Sequence, residues 1–493
     1  MRHVETSIGG DVRDGDTLFI DGKWQGADDG ATFDVTDPAT GDIVGTAADA
    51  GAAETDRALA AATAAFPSWS RETAYRRAEV LWKAHDLMLE RSESLAALMT
   101  REQGKPLKAA RNEVRYAASF LSWFAEEAKR VYGGTIPSAR ADQRLTVLRQ
   151  PVGVVAAITP WNYPVSMITR KVAPAVAAGC TVVLKPAEQT PLCAVAVFDL
   201  LAEAGLPAGV ANLVTAARPE AVGDRLLDAP TVRKLTFTGS TAVGKRLAAR
   251  AAATMKRVSM ELGGHAPLLV FPDADPAHAA KGAALVKFLN TGQACISPNR
   301  IFVHRSVLDA FTAELVARVS RLEAGPGDRP GVAIGPLVDD AALAKVAAQV
   351  EDAVARGARL LAGGHRLTSD GLSSGRFYAP TVLTGVDETM RVYHEETFGP
   401  VAAVIPFDTE EEAVRRANDT EYGLASYVYT NDLGRAVRVS EALRFGIVGV
   451  NDIDPTGAAA PFGGVGASGL GREGGAQGIE EYLDVKLVGL VAR

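Results

Sequence analysis

Val152-Gly153-Val154-Val155-Ala156-Ala157-Ile158-Thr159, followed at once by Pro160-Trp161-Asn162-Tyr163-Pro164, is the stretch that decides the fold. Residues 152–159 are apolar or small throughout and read as a buried strand. A helix then runs to Gly179, and the unit repeats. Strand 181–185, helix to Ala204, strand 211–215, helix, strand 234–238 and another helix follow in order. Alternation at this spacing implies a parallel sheet covered by helices on both faces.

Upstream of this stretch, residues 52–131 form a helical layer, with Leu81, Leu87, Leu95 and Leu98 at three- and four-residue spacings. Residues 17–38 read as a short strand pair turning at Asp21-Gly22. Gly133-Gly134 ends the helical layer, and residues 143–150 alternate like an exposed strand. Downstream of Glu261 a second set begins, with candidate strands at 267–271, 300–304, 401–407 and 426–430, which implies a second α/β domain. Residues 481–491 are strand-like again. Their partner is the strand near Gln143, in this chain or in a neighbouring one.

With 493 residues, 47% of them hydrophobic and 23% charged, the chain has ample material for two or more packed domains, so disorder and fibre readings fall away. The formal charge is -7 and no dense Lys/Arg run occurs, so neither nucleic acid nor an anionic membrane surface is an expected partner. Three widely spaced cysteines cannot build a disulfide framework and point to a reducing compartment. Residues 1–16 carry no apolar signal region, and no run of about 18 apolar residues occurs, so the expected location is the cytoplasm. The seven histidines show no metal spacing, and no metal is expected.

One cysteine stands apart, in Phe288-Leu289-Asn290-Thr291-Gly292-Gln293-Ala294-Cys295-Ile296-Ser297-Pro298. The small and apolar run 279–289 reads as helix, and Asn290-Thr291-Gly292 punctuates it, so Cys295 falls on a loop just beyond a helix end. Taken alone, a free cysteine is most often a small buried hydrophobe, and Cys180 and Cys193 are read that way. The glycine fingerprint of a dinucleotide site is absent after the first strand. A glycine turn appears instead after the fourth, where Gly239 and Ser240 open a helix whose N-terminus attracts phosphate, although a plain helix cap accounts for the same residues. Glu188 follows the second strand, where a carboxylate can bond ribose hydroxyls and repel a 2'-phosphate, which favours NAD over NADP, although a solvated loop acid accounts for the same residue.

Four motifs in this order and spacing, Pro160-Trp161-Asn162-Tyr163-Pro164, Glu261-Leu262-Gly263-Gly264, Gly292-Gln293-Ala294-Cys295 and Glu395-Glu396-Thr397-Phe398-Gly399-Pro400, closely resemble the aldehyde dehydrogenase superfamily. The resemblance covers essentially the whole chain. It implies two doubly wound α/β domains plus a small β oligomerisation flap: an NAD-binding domain from 1–132 and 151–261, a catalytic domain from 262–473, and oligomerisation strands at 133–150 and 474–493. A homodimer or homotetramer is implied with it. Cys295 is then the nucleophile, the Asn162 amide and the Cys295 N–H hold the oxyanion, and Glu261 activates water. Lys171 and Glu473 match groups concerned with proton movement. Thr159, Pro160, Trp161, Gly239 and Ser240 flank the NAD cofactor, Lys185 and Glu188 its adenosine ribose, and Glu396 and Phe398 its nicotinamide end. Tyr163, Phe462, Arg170 and Leu289 face the substrate.

Within the superfamily the chain looks most like succinate- and 2-oxoglutarate-semialdehyde dehydrogenases, through Glu102-Gln103-Gly104-Lys105-Pro106, Met167-Ile168-Thr169-Arg170-Lys171 and Glu261-Leu262-Gly263-Gly264-His265-Ala266-Pro267. A guanidinium at Arg170 can bind a distal carboxylate bidentately; an ion pair inside the helix layer is the equal alternative. The chain departs from succinate-semialdehyde dehydrogenases at Leu289, where they commonly carry Arg, and at Ser297, where they carry a second Cys. The expectation is NAD-dependent oxidation of a small semialdehyde to its acid, with a general aliphatic or aromatic aldehyde dehydrogenase as the alternative. An acyl-CoA-forming or a non-catalytic relative is disfavoured by the intact Glu261, Asn162 and Cys295.

Overall fold

The computed structural model describes residues 15–491, so the reading of the polar N-terminal segment lies almost wholly outside the described residues. The first sheet has eight strands in the spatial order Gly469–Leu470, Arg257–Glu261, Val232–Thr238, Val154–Ile158, Thr181–Lys185, Ala211–Leu213, Leu18–Ile20 and Lys23–Gln25. Its five central strands are mutually parallel and both its edges are antiparallel. The hairpin Leu18–Ile20/Lys23–Gln25 turns at Asp21 (φ 52°) and Gly22 (φ 75°), the left-handed pair that matches a hairpin's twist. A strand unforeseen in the sequence, Arg257–Glu261, lies beside Val232–Thr238 in a register that sets Glu261 opposite Thr238. Its Arg257 and Ser259 interrupt the apolar run that marks the other strands.

The second sheet runs Arg359–Ala362, Thr381–Thr384, Val401–Phe407, Pro298–His304, Ala266–Val270, Ala425–Tyr429, Ile447–Val450. All four expected strands are present, and the three additions lie at or next to its edges. The strand Gly469–Leu470 follows this sheet in sequence yet joins the first one, pairing Gly469 with Glu261. Only glycine fits there, because a Cβ at φ 135° would collide with the Met260 carbonyl.

Helices Ala52–Trp69, Ala74–Glu90, Ser92–Gln103 and Leu107–Ala128 make the expected helical layer. The last packs closely on Ser166–Ala178, every residue of which is buried. A third sheet orders Leu483–Val491, Gln143–Pro151 and Gly134–Ile136. Leu483–Val491 pairs antiparallel with Gln143–Pro151 along nine residues of the same chain, so its partner is internal. Ile136, Val485, Leu487 and Leu490 on this sheet are exposed. Among the described residues no helix is long and apolar enough to cross a membrane.

Candidate active site

Strands Val154–Ile158, Thr181–Lys185, Val232–Thr238 and Arg257–Glu261 all point their carboxyl ends to one crevice, the place where open parallel sheets bind ligands. The second sheet closes that crevice with the loop that carries Cys295. Helix Pro276–Lys287 stops at Phe288, and a tight turn over Leu289–Gly292 holds Asn290 (φ 49°) and Thr291 (φ 60°) in left-handed backbone. For a β-branched residue this conformation is costly and persists only where neighbours enforce it. The Thr291 hydroxyl accepts from Gly335 N (2.9 Å) and lies 3.2 Å from Gly335 O. Gln293 Oε1 accepts from Val338 N (3.0 Å), and the Tyr427 hydroxyl donates to Ile296 O (3.0 Å). The loop that carries Cys295 is thus fixed before any ligand arrives.

Cys295 lies where two cavities meet. One, of about 240 Å³, is lined by Pro160, Trp161, Asn162, Gly239, Ser240, Glu396 and Phe398 among others. The other, of about 440 Å³, is lined by Tyr163, Arg170, Leu289 and Phe462 together with Lys105, Glu113 and Asp454. Cys295 and Met167 belong to both. Burial pushes the Cys295 thiol up to about 12, Arg170 opposing and Glu261 adding to the rise. A thiol whose pKa is raised in this way needs a base to take its proton before it can act as a nucleophile.

Glu261 ends its strand with 3% of its surface exposed, and its Oε2 has no hydrogen-bond partner. Burial first, then the neighbouring Glu473 carboxylate, raise its pKa well above the ordinary range, against Arg170 and Lys171. A carboxyl so placed exchanges a proton nearer to neutrality. Glu473 is held differently: burial works against its ionisation, but Lys171 and Arg170 outweigh it and keep its pKa low. Lys171 Nζ donates to Glu473 Oε1, and Arg170 Nη2 stands 2.8 Å from Oε2. Phe462 and Glu473 face each other across a two-way backbone bridge (2.7 and 2.8 Å), which stacks Phe462 on the guanidinium at 4.1 Å. Arg170 thus makes the internal ion pair that was one of its two readings. Its Nη2 is taken up by Glu473, and its buried Nε alone has neither a hydrogen bond nor an ion-pair contact.

On the other side of the sulfur, Trp161 meets Phe398 edge-on at 5.6 Å, and Glu396 Oε1 accepts from Gly264 N (2.8 Å). Ser240 caps helix Thr241–Ala252, its hydroxyl 3.4 Å from Val243 N, so the plain cap is present. The Thr238 and Thr397 hydroxyls in this wall are buried without partners. Gly263 keeps the wall open beside Glu396, whose Oε2 a Cβ would approach to 2.8 Å. Unpaired hydroxyls, a helix N-terminus and a narrow aromatic slot fit a dinucleotide's ribose, phosphate and planar ring. Thr159 N bonds Lys185 O (3.1 Å), tying the first two strand ends together. Lys185 pairs with Glu188 at 3.1 Å, and Glu188 borders a separate cavity with Phe33, Gln189 and Ala217. Among the described residues no cluster of three or more His, Cys, Asp or Glu side chains could hold a metal.

Sequence reasoning missed the residues that brace Asn162. Asn162 Nδ2 donates to Gln293 O (3.0 Å), while its carbonyl receives Lys105 Nζ (2.8 Å) and Asn290 Nδ2 (2.9 Å). One signal was available: Glu113 falls on the buried stripe Ala110, Val114, Ala117 of its helix, where a carboxylate needs a partner.

Two mainly parallel sheets closing on one thiol define the class, an oxidoreductase of the aldehyde dehydrogenase type. The chain belongs to the aldehyde dehydrogenase family, whose family model matches residues 24–488. It is 54% identical over 470 residues to the 3-sulfolactaldehyde dehydrogenase of Pseudomonas putida, covering 95% of this chain and 96% of that one. It is 51% identical to the NADP(+) succinate-semialdehyde dehydrogenase GabD of Escherichia coli, with the same coverage. The crystal structure of an aldehyde dehydrogenase from Brucella melitensis biovar abortus superposes with a TM-score of 0.95 at 51% identity, over 97% of this chain and 98% of that one.

Proposed function

We propose that the protein oxidises a small carboxylate-bearing semialdehyde to its acid with NAD, through covalent intermediates on Cys295. The observation that carries this reading is the position of Cys295 at the meeting of the two cavities. The thiol proton passes through water to solvent, and the thiolate adds to the aldehyde to form a thiohemiacetal. The second N–H of Asn162 Nδ2 and the Cys295 backbone N–H receive the developing oxyanion. A bound nicotinamide dinucleotide would supply the hydride acceptor, held by Trp161, Ser240, Glu396 and Phe398, with Lys185 and Glu188 at its adenosine ribose. Loss of hydride leaves a thioester on Cys295. Ionised Glu261 then takes a proton from water, whose attack releases the acid. Lys171 and Glu473 relay protons behind it.

The Glu188 carboxylate supports NAD by repelling a 2'-phosphate, although one relative is named for NADP(+). The guanidinium of Arg170 in the lining of the larger cavity supports a carboxylate on the substrate, as do relatives named for such aldehydes. The Arg170–Glu473 pair and Leu289 favour a second reading, an uncharged aldehyde. The exposed apolar residues of the third sheet support a dimer or tetramer built through it. The absence of any paired cysteine among the three suits a reducing cytoplasm. Cys295→Ala should abolish NADH formation, roughly 10³-fold or more, while NAD binding persists. Retained turnover would overturn the mechanism.

A further inference from the structure

Asn162 sits in a proline-flanked turn with no strand or helix to fix its angle. Two of its three braces come from the nucleophile loop itself, through Asn290 and Gln293, and so hold Asn162 to Cys295. The third comes from the helical layer. Lys105 follows helix Ser92–Gln103, and its ammonium, 1% exposed, donates to Asn162 O at 2.8 Å and lies 4.0 Å from the Tyr163 ring. Its counter-ion Glu113, fully buried on helix Leu107–Ala128, pairs with it through Oε2. The other oxygen, Oε1, accepts from Val165 N (3.0 Å) and Ser166 N (3.1 Å), the first amides of the helix that carries Arg170 and Lys171.

A buried ion pair is seldom a net gain in stability, since two packed apolar side chains serve as well. This pair differs from a neutral filler in its outward bonds: each member holds one flank of the turn that presents Asn162. We propose that Lys105 and Glu113 are positioning residues, which set the Asn162 amide against the oxyanion formed at Cys295. The inference rests on the reading of Asn162 as an oxyanion donor. Displacing such a donor by about 1 Å costs on the order of a hundredfold in rate.

The experiment is a double-mutant cycle in the full chain. Lys105→Met with Glu113→Gln removes both charges together and keeps an acceptor for the helix amides, so no ion is stranded. This pair of changes should lower kcat by roughly 30- to 100-fold and leave NAD affinity within about threefold. Placed in an Asn162→Ala background, the same pair should cost less than about threefold more. Equal losses in both backgrounds, or an unchanged kcat in the first, overturn the positioning role. An intact kcat in Asn162→Ala alone overturns the oxyanion reading itself, a separate failure. Should the paired variant fail to bind NAD, Glu113→Gln alone, which leaves Lys105 without its anchor, should show a loss of about tenfold that disappears in Asn162→Ala. A loss that persists there refutes the proposal.

Discussion

Gly264→Ala tests how closely the geometry around Cys295 is set. Gly264 lies where Glu261-Leu262-Gly263-Gly264 passes under the nucleophile loop, its N–H bonded to Glu396 at 2.8 Å. A Cβ built on it falls well inside 3.0 Å of the Cys295 carbonyl oxygen and 3.4 Å from Leu424 Cβ. The atom it meets is backbone, which no rotamer change can move aside. Ordinary contact requires the Cys295 peptide to withdraw by about 1 Å, and this peptide follows the N–H proposed to hold the oxyanion. A displacement of that size costs roughly a hundredfold in kcat/KM, and the overpacking costs about 1–3 kcal/mol of stability. The assay is steady-state NADH formation alongside thiol titration and NAD binding on the same preparation. One reactive thiol per chain with intact NAD binding and a collapsed kcat supports the argument. A variant within threefold of the parent would refute it, because the loop would then be shown to yield freely.

Glu261→Gln should release about one NADH per site in a burst and then stall, as thioester hydrolysis loses its base; steady turnover without a burst would remove Glu261 from that step. Because Glu261 is active when ionised and its pKa is raised, kcat should fall as pH drops through a limb lying above the usual carboxylate range. Glu473→Gln removes the negative neighbour and leaves Lys171 and Arg170 uncompensated, and both changes lower the pKa of Glu261, so the limb should move to lower pH. A limb that stays or rises contradicts the assignment. Glu188→Ser should raise the NADP/NAD ratio of kcat/KM by tenfold or so, about 1.4 kcal/mol, and an unchanged ratio detaches Glu188 from the ribose. Leu289→Arg, at a position 40% exposed on the cavity rim, should raise kcat/KM for succinate semialdehyde by about tenfold; an unchanged value shows that the rim does not meet the distal carboxylate.

The alternation of apolar runs with helical periods was enough to lay out four of the parallel strands of the first sheet, because both patterns record local burial along the chain. The motif around Cys295, with Asn162 and Glu261, was legible for the same reason of adjacency: each lies in a short signature at a strand or helix end. Strand Arg257–Glu261 escaped notice since its polar residues mask the run, although it is the strand that delivers Glu261. What the sequence by itself determined is therefore the order of most elements and the three residues, Cys295, Asn162 and Glu261, on which the proposed chemistry rests. Tertiary structure alone decided the charges. Lys171 meets Glu473 across 302 positions, Arg170 is engaged by the same carboxylate, and Lys105 reaches Asn162 from the helical layer. No local pattern encodes such pairings, because a charge's partner and its loss of water depend on which distant segments the packed sheets bring together.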